Sequence, residues 1–159
     1  NLGDAMPEEE IDPGLARLVA AHPEIFRGTP PAAFSYLMPG WYDLVDKLCA
    51  DIEAALGTQN LRQFQCLQIK EKFGTLRFYW RYKAAGRPRV DALYADRFVS
   101  FEASPNKTAK LGQTLQLLVE AACDASEAIC ETCGQPGRLL CAKGWLMTRC
   151  ATHADGRDD

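Results

Sequence analysis

Between Cys130 and His153 the chain reads CETCGQPGRLLCAKGWLMTRCATH, and no other stretch restricts its folding so narrowly. Cys130 and Cys133 stand at C-x2-C spacing and Cys150 and His153 at C-x2-H, with sixteen residues between the pairs. Each pair spans one tight turn, and the spacer is long enough for a β-hairpin to bring the second pair back to the first. Four soft or borderline donors then converge, and a tetrahedral Cys3His set suits zinc. Gly134 permits a knuckle after the first pair, Lys143-Gly144 suits a hairpin tip, and Cys150 with His153 fall where a short helix would begin. Knuckle, hairpin and helix start, in that order, predict a treble-clef-like module over residues 130–153. Four protein ligands leave no open coordination position, so the expected zinc is structural rather than catalytic. Cys141, within the hairpin, is an alternative to His153 as ligand, although an isolated strand cysteine is more often a small packed apolar residue.

The chain carries seven cysteines, an odd number, and nothing in it suggests secretion, which favours metal ligation over a disulfide framework. Cys49, Cys66 and Cys123 fall inside predicted elements and are expected to be buried thiols. With 47% of its 159 residues apolar, the chain can bury one ordinary core plus a small appendage. The expected organisation is an α+β core domain over residues 12–129, with the zinc module continuous with its last helix. No run of eighteen apolar residues exists, and the start, NLGDAMPEEEIDPG, is acidic and unlike a signal peptide. A soluble, cytoplasmic protein without a membrane partner is expected. Met6 is read as the natural start, with residues 1–5 left over from expression.

Hydrophobic periodicity places the other elements. Asp12 can cap a short helix reaching Ile25, with Pro13 in the first turn, Leu15, Leu18 and Val19 on one face, and Pro23 as its stop. FRGTPPAAFSYLMPG is rich in Pro and Gly and is expected to run irregularly over the surface. Trp41, Val45, Leu48, Ile52 and Ala55 mark a second helix ending at Gly57. FQCLQIKEKFGTLRFYWRYK reads as a β-hairpin turning near Glu71 to Gly74, with Glu71 expected to pair with Lys70 or Lys72. In its second strand Leu76, Phe78, Trp80 and Tyr82 alternate with Arg77, Tyr79, Arg81 and Lys83, so an apolar core face backs a basic, solvent-facing one. Residues 96–103 are a candidate third strand. A last helix from about Thr108 to Ile129 presents Leu111, Leu115, Leu118, Ala122 and Ala125 and runs directly into Cys130. The fold class is therefore α+β, an antiparallel hairpin or small sheet packed on two or three helices.

Charge is unevenly spread. Arg62 to Arg89 holds eight basic residues against the single acid Glu71, a net +7, so the rest of a chain of net −3 carries −10. Catalytic constellations are thin: no G-x-S-x-G, P-loop or H-E-x-x-H occurs. His22 sits at a helix end, where a cation meets the dipole favourably, and the tail acids Asp155, Asp158 and Asp159 have no histidines beside them.

GWYDLVDKLC (Gly40 to Cys49), QIKEKFGTLRFYW (Gln68 to Trp80), SEAICETCGQPG and GWLMTRCATH together resemble a family of small uncharacterised zinc-binding proteins from bacteriophages and prophages. The likeness runs from about Phe34 onward and is sharpest in KEKFG-x-LRFY and in C-x-x-C-G with C-x-x-H. Ala84 to Lys110 does not match its pattern. The resemblance implies a phage-associated accessory protein and names no target.

Three function classes follow. The leading expectation is a non-enzymatic, zinc-stabilised protein that binds a host or phage protein, inhibition of a host protein or defence system being one form. The second is nucleic-acid binding through Arg77, Tyr79, Arg81 and Lys83, since a basic face with an aromatic suits that role; a solvated, aggregation-resistant strand face is the competing explanation. The third is a nuclease-like zinc enzyme on the treble-clef module.

Overall fold

A computed structural model describes residues 11–83, 90–93, 98–99 and 107–154. The chain is α+β, with three helices and two antiparallel sheets among those residues. Helix α1 spans Pro13–Ala21, and Asp12 caps it by accepting from the Leu15 N–H at 3.1 Å. It ends earlier than expected, at His22, whose backbone N–H closes on the Val19 carbonyl. The segment after it is not a surface loop. Ile25, Phe26, Ala33, Phe34 and Leu37 are buried, and Phe26 meets Phe34 edge to face at 5.4 Å. This segment also covers a sheet edge: the Ile25 carbonyl accepts from Cys66 N–H and the Tyr36 carbonyl from Glu71 N–H. An unpaired edge invites aggregation, so Pro and Gly here mark irregular backbone inside the fold.

Helix α2 runs Tyr42–Leu61, bending at Gly57, whose φ of +67° is non-helical, and then adding a turn. Strands β1 (Phe64–Lys72) and β2 (Thr75–Tyr82) form the expected hairpin, with an irregularity between Cys66 and Gln68. Its turn is tight because Phe73 and Gly74 both take positive φ, 55° and 77°, the conformation a two-residue hairpin turn needs. Strands β3 (Val90–Leu93) and β4 (Phe98–Val99) extend the sheet in the order β1-β2-β3-β4. β4 falls within the expected third strand, β3 lies ahead of it, and the rest of 96–103 is outside the described residues.

Helix α3, Lys107–Ser126, packs with α2 against the sheet. Its buried face is Leu115, Val119, Ala122, Cys123 and Ser126, while Ala125 is exposed. This face is rotated by about one residue from the expected one. The helix also stops short of Ile129, because the Ser126 hydroxyl donates to the Cys123 carbonyl at 2.5 Å and accepts from the Leu76 N–H at 2.9 Å. Tighter turns then lead to Cys130. The core holds Trp41, Val45 and Ile52 of the α2 region with Phe64, Ile69, Leu76, Phe78, Trp80 and Tyr82 of the hairpin, all within 1% of complete burial. Phe64 stacks on Trp80 at 5.9 Å. Strands β5 (Arg138–Ala142) and β6 (Trp145–Arg149) form a separate hairpin near the C-terminal end. No helix among the described residues is long and apolar enough to cross a membrane.

Candidate metal centre

Three segments distant in sequence meet where β5–β6 joins the core. Gly40 donates its N–H to the Glu131 carbonyl at 2.7 Å, and a Cβ at Gly40 would lie 2.0 Å from the Cys130 carbonyl oxygen. Only glycine permits that approach. Trp41 Nε1 donates to the Ile129 carbonyl at 3.0 Å. From the other side the Phe73-Gly74 turn abuts β6: a Cβ at Gly74 would stand 2.9 Å from Met147 N, and the Thr148 hydroxyl donates to the Gly74 carbonyl at 2.7 Å. Glu71 is drawn into this turn, its carboxylate accepting from the Gly74 N–H at 2.6 Å. It forms no ion pair with Lys70 or Lys72 among the described residues; those ammonium groups lie over the Tyr79 and Phe73 rings instead. Thus Gly40-Trp41, KEKFG and the CxxC knuckle are parts of one docking surface.

The knuckle is closed by backbone. Cys130 N–H donates to the Gln135 carbonyl, Gly134 N–H to the Cys130 carbonyl, and Glu131 N–H to the Thr148 carbonyl of β6. The Lys143-Gly144 tip has the expected pair of positive φ values, 51° and 83°. Residues 151–154 form turns rather than the start of a helix. Behind the cluster, Glu131 is 4% exposed and its carboxylate accepts from Arg149 Nε at 3.4 Å. Burial raises the Glu131 carboxyl above its usual range, against the opposing pull of the Thr148 N–H and Arg149.

Cys130, Cys133, Cys150 and His153 converge, with one donor atom of each lying within 4.8 Å of all the others. Cys133 Sγ and Cys150 Sγ are 3.7 Å apart, Cys130 Sγ and His153 Nδ1 3.6 Å, and Cys150 Sγ and His153 Nδ1 3.2 Å. With metal–sulfur bonds of about 2.3 Å and metal–nitrogen bonds of about 2.0 Å, a tetrahedron has S–S edges near 3.8 Å and S–N edges near 3.5 Å. The cluster has those dimensions and can hold a metal ion. A disulfide, with sulfurs about 2.05 Å apart, does not fit it. His153 faces the thiols through Nδ1. Cys141 is exposed and outside the cluster, which removes it as the fourth ligand and also as a packed residue.

Electrostatics favours the thiolate at Cys130 and Cys150. Burial pushes the Cys130 thiol up, but the N–H groups of Cys150, Cys133 and Thr132 together outweigh it and bring the thiol down to about 6. At Cys150 the same contest is won by the His153 N–H and ring, which lower it. His153 is raised by its contacts with Cys150 and Cys130. Cys133 moves the other way: the Gln135 N–H lowers it, but partial desolvation and the neighbouring Cys130 and Cys150 sulfurs together raise it. Protons thus leave the cluster unevenly, and a cation bound there would offset the accumulated negative charge. The contrast is with Cys49 and Cys66, where burial drives the thiols upward and leaves them inert.

Of the other expected site residues, Arg77, Tyr79 and Arg81 are half-buried rather than fully solvent-facing, and Lys83 is exposed. Arg77 Nη1 donates to the Leu76 carbonyl at 3.4 Å. His22 is 6% exposed and bridges α1 to α2: its ring faces Glu53 through Nδ1 and Asp46 through Nε2, the latter at 2.7 Å. Sequence reasoning placed it at a helix end but missed both carboxylates, which lie seven residues, about two turns, apart on the same face of α2. Asp155, Asp158 and Asp159 lie outside the described residues. Compared with protein-family models, with curated proteins and with solved structures, the chain matches none.

Proposed function

We propose that this chain is a non-enzymatic, zinc-stabilised protein-binding protein of the phage or prophage type that its motifs resemble. Zinc is the ion the Cys3His donor set suits best, and four protein ligands leave it a structural role. One observation carries the binding role. The hairpin held by the cluster displays its apolar residues: Trp145 is 75% exposed, Leu146 42% and Leu139 41%, with Phe73 at 63% on the adjoining turn. A staple that served only the fold would turn such side chains inward; here Leu139 and Leu146 are exposed on one face of the hairpin and Trp145 on the other, and exposed apolar and aromatic surface of this size marks interaction sites. Inhibition of a host protein or defence system is one form such binding takes. The reading is tested by affinity capture from host lysate after nuclease treatment, comparing the unaltered chain with Trp145→Glu. The expected result is a protein retained by the first and lost by a variant that still folds and binds one zinc. Identical capture by both, or capture abolished by nuclease, overturns it.

A further inference from the structure

A second site lies at the far end of the β1–β2 hairpin from the turn that meets the metal module. Three segments converge there. The loop after α1 brings Arg27, the C-terminal cap of α2 brings Arg62, and the open strand ends bring Gln65, Arg81 and Lys83. They line a groove of about 460 Å³, and no carboxylate is among its lining residues. The Arg27 guanidinium is pinned at the rim, donating through Nη1 to Glu24 Oε2 at 2.6 Å and through Nη2 to the Arg62 carbonyl at 2.5 Å. Arg62 and Lys83 form no ion pair among the described residues. Arg27 is balanced by Glu24, whereas Arg62 and Lys83 face the groove without a carboxylate partner, and an anion seated between them gains charge-assisted contacts.

We propose that this groove binds the phosphate chain of a small polyphosphate-bearing molecule. Guanidinium forks engage phosphate oxygens bidentately, a lysine adds a point charge, and the Gln65 amide can donate a neutral hydrogen bond. The volume lies within the range of small-molecule pockets. A nucleic-acid strand fits less well, for two reasons. The cations enter from three segments onto one spot, whereas a strand needs a continuing track, and the next cation along β2, Arg77, is four residues away, about 13 Å. The aromatic between them is also engaged: Lys70 Nζ lies over the Tyr79 ring, 5.5 Å from its centre, where it competes with base stacking.

The test is calorimetric titration of the full chain with inorganic triphosphate at physiological salt. One site per chain is expected. Arg62→Ala/Lys83→Ala, at two exposed positions, should weaken it by about 100-fold, roughly tenfold for each charge-assisted hydrogen bond to phosphate that is removed. Arg77→Ala should leave it within about twofold, as befits a position about 13 Å along the strand. Circular dichroism melts confirm that each variant folds. No binding at millimolar triphosphate, or equal weakening in Arg77→Ala and the double variant, overturns the proposal. Tighter binding of a single strand of about 12 nucleotides that depends on Arg77 also overturns it, in favour of a nucleic-acid track.

Discussion

Trp80 and His22 show what single side chains carry. Trp80 is fully buried, stacked on Phe64, and its indole N–H has no hydrogen-bond partner among the described residues. Trp80→Ala should therefore cost about 3 to 5 kcal/mol in denaturant melts. Trp80→Phe, which also removes the unsatisfied donor, should stay within about 1.5 kcal/mol of the unaltered chain. A large destabilisation from both would mean that the indole shape, not its area, holds the core. For His22, burial lowers the imidazole pKa, but hydrogen bonds and charge from Asp46 and Glu53 outweigh it and leave the value above 6.5. A group whose folded pKa is raised stabilises fully below its unfolded value and loses that contribution as pH climbs through the folded one. Stability should accordingly fall as pH rises from 6.5 upward, and His22→Gln should flatten that part of the curve. Parallel curves for the two proteins would show that the clamp is neutral in the fold.

At the scale of elements, the metal module and the core are joined by backbone contacts that removal of the ion should release. The Cys130–Gln135, Glu131–Thr148 and Gly40–Glu131 hydrogen bonds all pass through the knuckle. Chelation should therefore speed amide exchange in the knuckle and in β5–β6, while Ile69 and Phe78 in the sheet stay protected. Uniform protection before and after chelation would contradict the coupling. Gly40→Ala should reproduce part of the effect without chelator: its Cβ would press on a backbone carbonyl that cannot swing aside. A destabilisation of about 1 to 3 kcal/mol is expected, together with weaker metal retention.

For the whole molecule, charge balance governs what can approach. A net +7 between Arg62 and Arg89 is set against −10 elsewhere. Screening over about 8 Å at physiological salt weakens the acidic repulsion of a long polyanion without cancelling it nearby. Binding to random DNA or RNA should thus be weak at that salt. Its affinity should fall by roughly 0.9 log units per phosphate contact for each tenfold rise in salt on duplex DNA. Sub-micromolar binding to a random oligonucleotide, abolished in Arg77→Glu/Arg81→Glu, would reverse this. A compact triphosphate, small enough to sit inside the groove, escapes most of that repulsion.

What local chemistry governs could be read directly from residue order. The C-x2-C and C-x2-H spacings set the ligand turns, the alternation from Leu76 to Tyr82 set the buried face of β2, and Asp12-Pro13 set the start of α1. These depend on neighbours within a few residues, where backbone geometry leaves little choice. Other features had no local signal. Residues 26–40 are rich in Pro and Gly, which report turns but not burial, and their hydrogen bonds to the edge of β1 form only in the folded chain. The phase of α3 follows from its packing on α2 and β2, and its end at Ser126 is tied to the Leu76 N–H, fifty residues earlier in the chain. Gly40 and Gly74 read as turn residues, yet their role is to let Cys130 and Met147 approach, which only packing creates. The groove of Arg27, Arg62, Arg81 and Lys83 likewise needs three segments brought together, because charge along a sequence says nothing of which charges share a space.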